Sequence, residues 1–189
     1  MFLTLPTLLT WARIVAIPLI VAIYYLPTDM ASRNLAATSL FIVVALTDWL
    51  DGWLARKLNQ TSSFGAFLDP VADKILVCAA LLILLQLDRV NALVALVIIG
   101  REIAISALRE WMAQIGASRS VAVHMLGKLK TTAQLVAIPF LLYDGPLFSG
   151  LVNTRWWGTA LIYIACVLTI WSMAYYLQKA IPEIRAKAR

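Results

Sequence analysis

Charged residues cut this chain into six apolar stretches, residues 14–28, 34–47, 75–87, 90–100, 131–143 and 156–178. A helix needs about 20 apolar residues to cross the hydrocarbon core of a bilayer. Only the last stretch crosses unaided, so each of the others must carry charge into the membrane at one end. A water-soluble fold is a poor alternative. Of the 189 residues, 62% are hydrophobic and 14% charged, and the mean hydropathy is +0.84, which leaves too little polar surface to face water. The expected fold is an all-α integral membrane protein of six transmembrane helices, forming a single domain over residues 1–189. Residues 1–11 are expected to lie along the interface, ahead of Arg13 and the first span. They do not read as a cleaved signal, because no basic residue precedes the apolar run and no small-x-small site follows it.

The charges also set an orientation. If the stretches alternate in direction, thirteen of the 16 Lys and Arg residues fall on one side, leaving Arg33, Arg89 and Arg155 on the other. The positive-inside rule puts the first side, with both termini, in the cytoplasm. The net charge of +6 then belongs to cytoplasmic loops, and no nucleic-acid partner is expected. Cys78 and Cys166 sit far apart inside apolar runs and read as buried thiols. The single histidine, His124, supplies neither a histidine-rich zinc site nor a hydrolase triad.

Four aspartates share the cytoplasmic side in the segment TDWLDGWLARKLNQTSSFGAFLDPVADK. Asp48 and Asp51 are three apart and Asp69 and Asp73 four apart, so on helices each pair projects from one face. The polar run at 57–64 is a turn that would bring the helices antiparallel and all four carboxylates to one depth. Converging carboxylates in low dielectric need compensation. Hard divalent cations, Mg²⁺ or Mn²⁺, provide it through oxygen ligands, and two ions suit a bound diphosphate. Gly52 and Ala55 leave room beside the first pair, for a ligand or for another helix. Arg56 suits phosphate oxygens or anchors the cytoplasmic end. Asp69-Pro70 is also a helix-start signal, which leaves Asp73 unexplained.

The pattern Asp48-x-x-Asp51-Gly52-x-x-Ala55-Arg56, eight residues, Gly65, three residues, Asp69, three residues, Asp73 resembles the signature of the CDP-alcohol phosphatidyltransferase family at every element. That resemblance implies a six-helix membrane enzyme, a homodimer, with two divalent metals at its cytoplasmic end. It implies metal ligation by Asp48, Asp51, Asp69 and Asp73, with Asp73 also the general base. Asp48, Gly52, Ala55, Arg56 and Gly65 would line the CDP site. The donor would be CDP-diacylglycerol, attacked by an acceptor hydroxyl with CMP leaving.

The acceptor must be read elsewhere. Arg101 and Arg109 are eight apart and share roughly one helical face, and Lys128, Lys130 and Thr131 follow after a connection. These residues form an anionic-acceptor pocket, or ion pairs with Glu102 and Glu110, or an attraction to anionic lipid. The pocket favours a phosphate-bearing acceptor over serine, choline or ethanolamine. The runs FLTLPTLLTWARIVAIPLI, REIAISALREWMAQIG and GKLKTTAQ resemble the bacterial branch of the family whose acceptor is sn-glycerol 3-phosphate, a branch that resides in the cytoplasmic (inner) membrane. Inositol phosphate is the alternative acceptor. A cation transporter would want its aspartates near the midplane and open to both sides, and a scaffold would not need them clustered.

Overall fold

Each apolar stretch falls mostly within one of six helices, and each helix runs on into charged sequence at one end or both. In order these are α1 (Leu5–Ile23), α2 (Met30–Leu58), α3 (Ser63–Gln86), α4 (Ala92–Gln114), α5 (Met125–Tyr143) and α6 (Thr154–Lys187). Between α5 and α6, the two-residue strands β1 (Pro146–Leu147) and β2 (Val152–Asn153) pair antiparallel. The computed structural model describes residues 5–58, 63–114, 116, 125–148 and 150–187.

Local chemistry accounts for several helix ends. Pro6 falls in the first turn of α1, where its missing N–H removes no helical bond. From Leu5 onward the expected interfacial segment therefore continues into the first apolar stretch as one helix. Asp29 caps α2, accepting bonds from the Ser32 N–H and hydroxyl at 2.8 Å each. Those two bonds hold its carboxyl below the usual range. Asp88, at φ 52°, ends α3 in the left-handed region, and the Arg89 N–H donates back to the Leu84 carbonyl at 2.9 Å, a Schellman closure. At the other end α3 starts at Ser63, so Pro70 lies inside the helix. Asp69-Pro70 is thus not the helix start that the local pattern allows.

The helices close into a ring. α1 packs on α2 and α3, α2 on α5, α5 on α6, α6 on α4, and α4 on α3. Ile20, Phe41, Leu81, Leu84, Ile98, Ile138, Leu141 and Leu142 fill its interior. A smaller cluster of Ile105, Met112, Tyr176 and Ala180 packs the end where α4 and α6 meet. Outward faces are apolar as well: Val15, Leu19, Val43, Leu82, Leu96, Ile103, Val167 and Trp171 are all exposed. Met30–Thr47 and Thr154–Pro182 are long and apolar enough to cross a membrane. The first of these exceeds the stretch read from charge alone, because it extends past Arg33.

The most extensive helix contact, α5 on α6, requires Gly158. A Cβ there would stand 2.7 Å from Leu141 Cγ and 3.1 Å from the Leu141 backbone nitrogen, whereas one on Gly100 meets nothing within 4 Å. Both glycines are helical, so alanine brings the same propensity gain at each, and the difference between them reports packing. Gly158→Ala is expected to be less stable than Gly100→Ala by about 2 kcal/mol. Equal melting temperatures in detergent would refute the close approach.

Candidate active site

Asp69 and Asp73 lie one turn apart on α3, and α1 runs beside them. Thr10 and Arg13, three apart on α1, meet the two carboxylates in register. The Thr10 hydroxyl donates to Asp69 Oδ1 at 2.6 Å, and Arg13 Nη1 donates to Asp73 Oδ1 at 2.6 Å. The Arg13 side chain is 0% exposed and that of Asp73 46%, so the cation braces the carboxylate from within the bundle while the carboxylate faces outward. Sequence reasoning treats Arg13 only as the edge of the first span and passes over Thr10. The available signal was their three-residue spacing on a helix.

Asp48, Asp51, Gly52, Ala55 and Arg56 stand in the C-terminal part of α2, and their side chains fall outside the described residues. Gly65 is buried near the start of α3. Among the described residues no three candidate ligands form a metal cluster. The donor chemistry of the described pair nevertheless fits a hard divalent cation. Both are carboxylates on one helical face, each is oriented by a hydrogen bond from behind, and one opens outward.

A second cluster lies at the same end, where α4, α5 and α6 meet. Lys130, 1% exposed, forms an ion pair with Glu102. Arg101, 7% exposed, reaches the same carboxylate at 3.3 Å, and Lys74 of α3 acts on it through space. Arg101 Nη2 also donates to Ser172 Oγ at 3.3 Å, and Arg109 Nη2 to the Tyr176 hydroxyl at 3.4 Å. Arg101 and Arg109 do share a face: their guanidinium carbons lie 5.7 and 5.4 Å from the Tyr176 ring centroid. Glu102 thus balances part of a larger buried positive charge. Thr131 stands apart, exposed, with its hydroxyl donating to the Gly127 carbonyl at 2.9 Å. The Lys128 side chain and all of His124 lie outside the described residues. Ser172 and Tyr176 were missed by sequence reasoning, because nothing local says which α6 residues face α4.

Removing the shared carboxylate leaves buried cations facing one another. Glu102→Ala is expected to lose about 3 kcal/mol, read as a lowered melting temperature in detergent. The double variant Glu102→Leu with Lys130→Met, which removes both charges, is expected to recover most of it. A single variant as stable as the parent would show that the pair holds nothing.

Residues 3–171 match the family model described as CDP-alcohol phosphatidyltransferase, and the chain belongs to that family, a family of membrane enzymes. Among its relatives is the CDP-diacylglycerol–glycerol-3-phosphate 3-phosphatidyltransferase of Escherichia coli (strain K12). The two are 48% identical over 178 residues, covering 93% of this chain and 94% of the relative. Proteins of the same name from Shigella boydii and Shigella sonnei match with the same identity and coverage.

Proposed function

We propose that the chain transfers the phosphatidyl group of CDP-diacylglycerol to sn-glycerol 3-phosphate, giving phosphatidylglycerol phosphate and CMP in phospholipid synthesis. Relatives of that printed name match it over nearly their full length. The structural observation that carries the reading is the pairing, at one end of the ring, of two oriented carboxylates with a buried excess of positive charge. The first suits a metal-bound diphosphate and the second a phosphate-bearing acceptor.

Asp48, Asp51, Asp69 and Asp73 would hold two Mg²⁺ or Mn²⁺ ions. When bound, such ions neutralise the diphosphate and stabilise the departing CMP phosphate. Asp48, Gly52, Ala55, Arg56 and Gly65 line the CDP site. Asp73 takes the proton from the acceptor hydroxyl as its oxygen bonds to the phosphorus bearing diacylglycerol. The bond from that phosphorus to CMP breaks, and CMP carries away the electron pair. Arg13 and Thr10 keep the two α3 carboxylates in place. Arg101, Arg109, Lys128 and Lys130 hold the acceptor phosphate, with Thr131 at the margin, its hydroxyl engaged by its own helix.

All six helices span the bacterial cytoplasmic (inner) membrane in this reading. The termini and the aspartates are cytoplasmic, and residues 1–189 act as one catalytic domain. Apolar outward faces and the basic bias of one side support that topology. The working form is a homodimer. Gly100, Ala104 and Ala107 are exposed on α4, which makes them available to a second copy rather than to an internal contact.

The test is CMP release by purified protein in mixed micelles of CDP-diacylglycerol with Mg²⁺. Glycerol 3-phosphate, inositol phosphate, serine or no acceptor is supplied in parallel. Release that requires glycerol 3-phosphate and stops with EDTA is the expected result. Release with inositol phosphate instead would keep the chemistry and overturn the acceptor. Silence with every acceptor, from folded protein, would overturn the transferase reading.

A further inference from the structure

We infer that Tyr176 of α6 is a positioning residue for acceptor recognition, one aromatic ring that sets the two arginines of α4 as a pair. The inference rests on the acceptor reading proposed above and concerns how that site is built. Tyr176 is 1% exposed, closed in by Ile105, Met112 and Ala180, yet its ring also meets charge. Arg101 and Arg109 both lie within cation–π range of its ring, and Arg109 also donates to its hydroxyl. One turn earlier on α6, Ser172 takes the Arg101 Nη2 donor. The same helix face therefore holds both guanidiniums.

The remaining donors point to an anion. Among the described residues, Nε of Arg101 and Nε of Arg109 are buried without a hydrogen-bond partner. A buried donor left unpaired is expensive and uncommon. Two of them, on guanidiniums held by one ring, are matched by the oxygens of a single phosphomonoester, which can accept from both. A free arginine pair would have to order two long side chains when the acceptor arrives. Arginines already braced by Tyr176 lose less freedom, and the gain appears as affinity for the acceptor.

The hydroxyl of Tyr176 also fits closely against α5. A Cβ on Gly127 of α5 would lie 3.3 Å from the Tyr176 hydroxyl. Gly127 thus gives the hydroxyl its place against α5, and the two positions are expected to be coupled.

The experiment measures KM for glycerol 3-phosphate, kcat, KM for CDP-diacylglycerol and melting temperature. Tyr176→Leu is expected to raise KM for glycerol 3-phosphate about 10-fold, the size of one or two cation–π contacts. Its kcat and its KM for CDP-diacylglycerol should stay within about twofold of the parent, since uniform binding is what is lost. Tyr176→Phe keeps the ring and is expected to raise that KM only about twofold. Gly127→Ala should raise it in the parent but not in the Tyr176→Phe background, where the clashing oxygen is gone. That coupling carries the test if Tyr176→Leu does not fold. Arg101→Ala and Arg109→Ala separate the two ideas. If they raise KM for glycerol 3-phosphate while the Tyr176 and Gly127 variants leave it unchanged, the acceptor site stands and the brace is wrong. If the arginine variants leave it unchanged too, both fall.

Discussion

Asp73→Asn should lower CMP release by about three orders of magnitude in protein that remains folded, a loss typical of removing a general base and a charge at a metal site together. Asparagine keeps the size of the side chain and an oxygen facing Arg13, but it neither takes a proton nor carries charge. The loss should appear in kcat, because the proton is taken during the chemical step. Asp69→Asn isolates the metal side of the problem. Its amide oxygen still accepts from the Thr10 hydroxyl, which now lies 2.6 Å from Asp69 Oδ1, so only charge is lost. Its rate should be regained in part by raising Mn²⁺, whereas that of Asp73→Asn should not. Thr10→Val removes the orienting bond and should raise the metal concentration for half-maximal rate about 10-fold. A variant at position 73 that kept a tenth of the parent rate would exclude this carboxylate as the proton acceptor.

The helices are legible in the sequence because apolar runs between charges are what a bilayer-facing helix needs, and most of each stretch lies within one helix. Their ends are less legible. α2 runs through Asp48 and Asp51 to Leu58, since a charged residue does not by itself break a helix. α3 overrides the Asp69-Pro70 start signal by seven residues, and tertiary contact with Thr10 holds Asp69 within it. The aspartates and the basic residues of α4 and α5 stand out by spacing alone. Their partners do not: Thr10 and Arg13 become informative only when α1 is laid against α3, and Tyr176 only when α6 is laid against α4. Arg89 is the plainest case. Counted along the chain it is one of three basic residues in the external links, yet it is 8% exposed.

Arg89→Leu should remove about 4 kcal/mol of stability, near 10 °C in melting temperature for a chain of this size. The reason lies in the last turn of α5. A helix leaves its final four carbonyls without helical partners. That of Phe140 is taken by the Asp144 N–H at 3.1 Å. Those of Leu141 and Leu142 are taken by Arg89 Nη1 at 3.0 and 2.8 Å. The same guanidinium gives Nη2 to Asn34 Oδ1 at 3.0 Å and Nε to Asp144 Oδ2 at 3.1 Å. One side chain therefore ties the α3–α4 link to the start of α2 and the end of α5, and its charge suits the negative end of that helix. Leucine fills part of the space but leaves two carbonyls, an amide and a carboxylate without their donor. Arg155 is the control, reaching the same carboxylate at 3.6 Å from a side chain 55% exposed. Its replacement by alanine should change stability by less than about 1 kcal/mol. Activity in the cold should survive Arg89→Leu, because α3 separates this end from Asp73 by about 20 Å of helix. A melting temperature within about 2 °C of the parent would mean that water or lipid can serve those carbonyls as well as the arginine does.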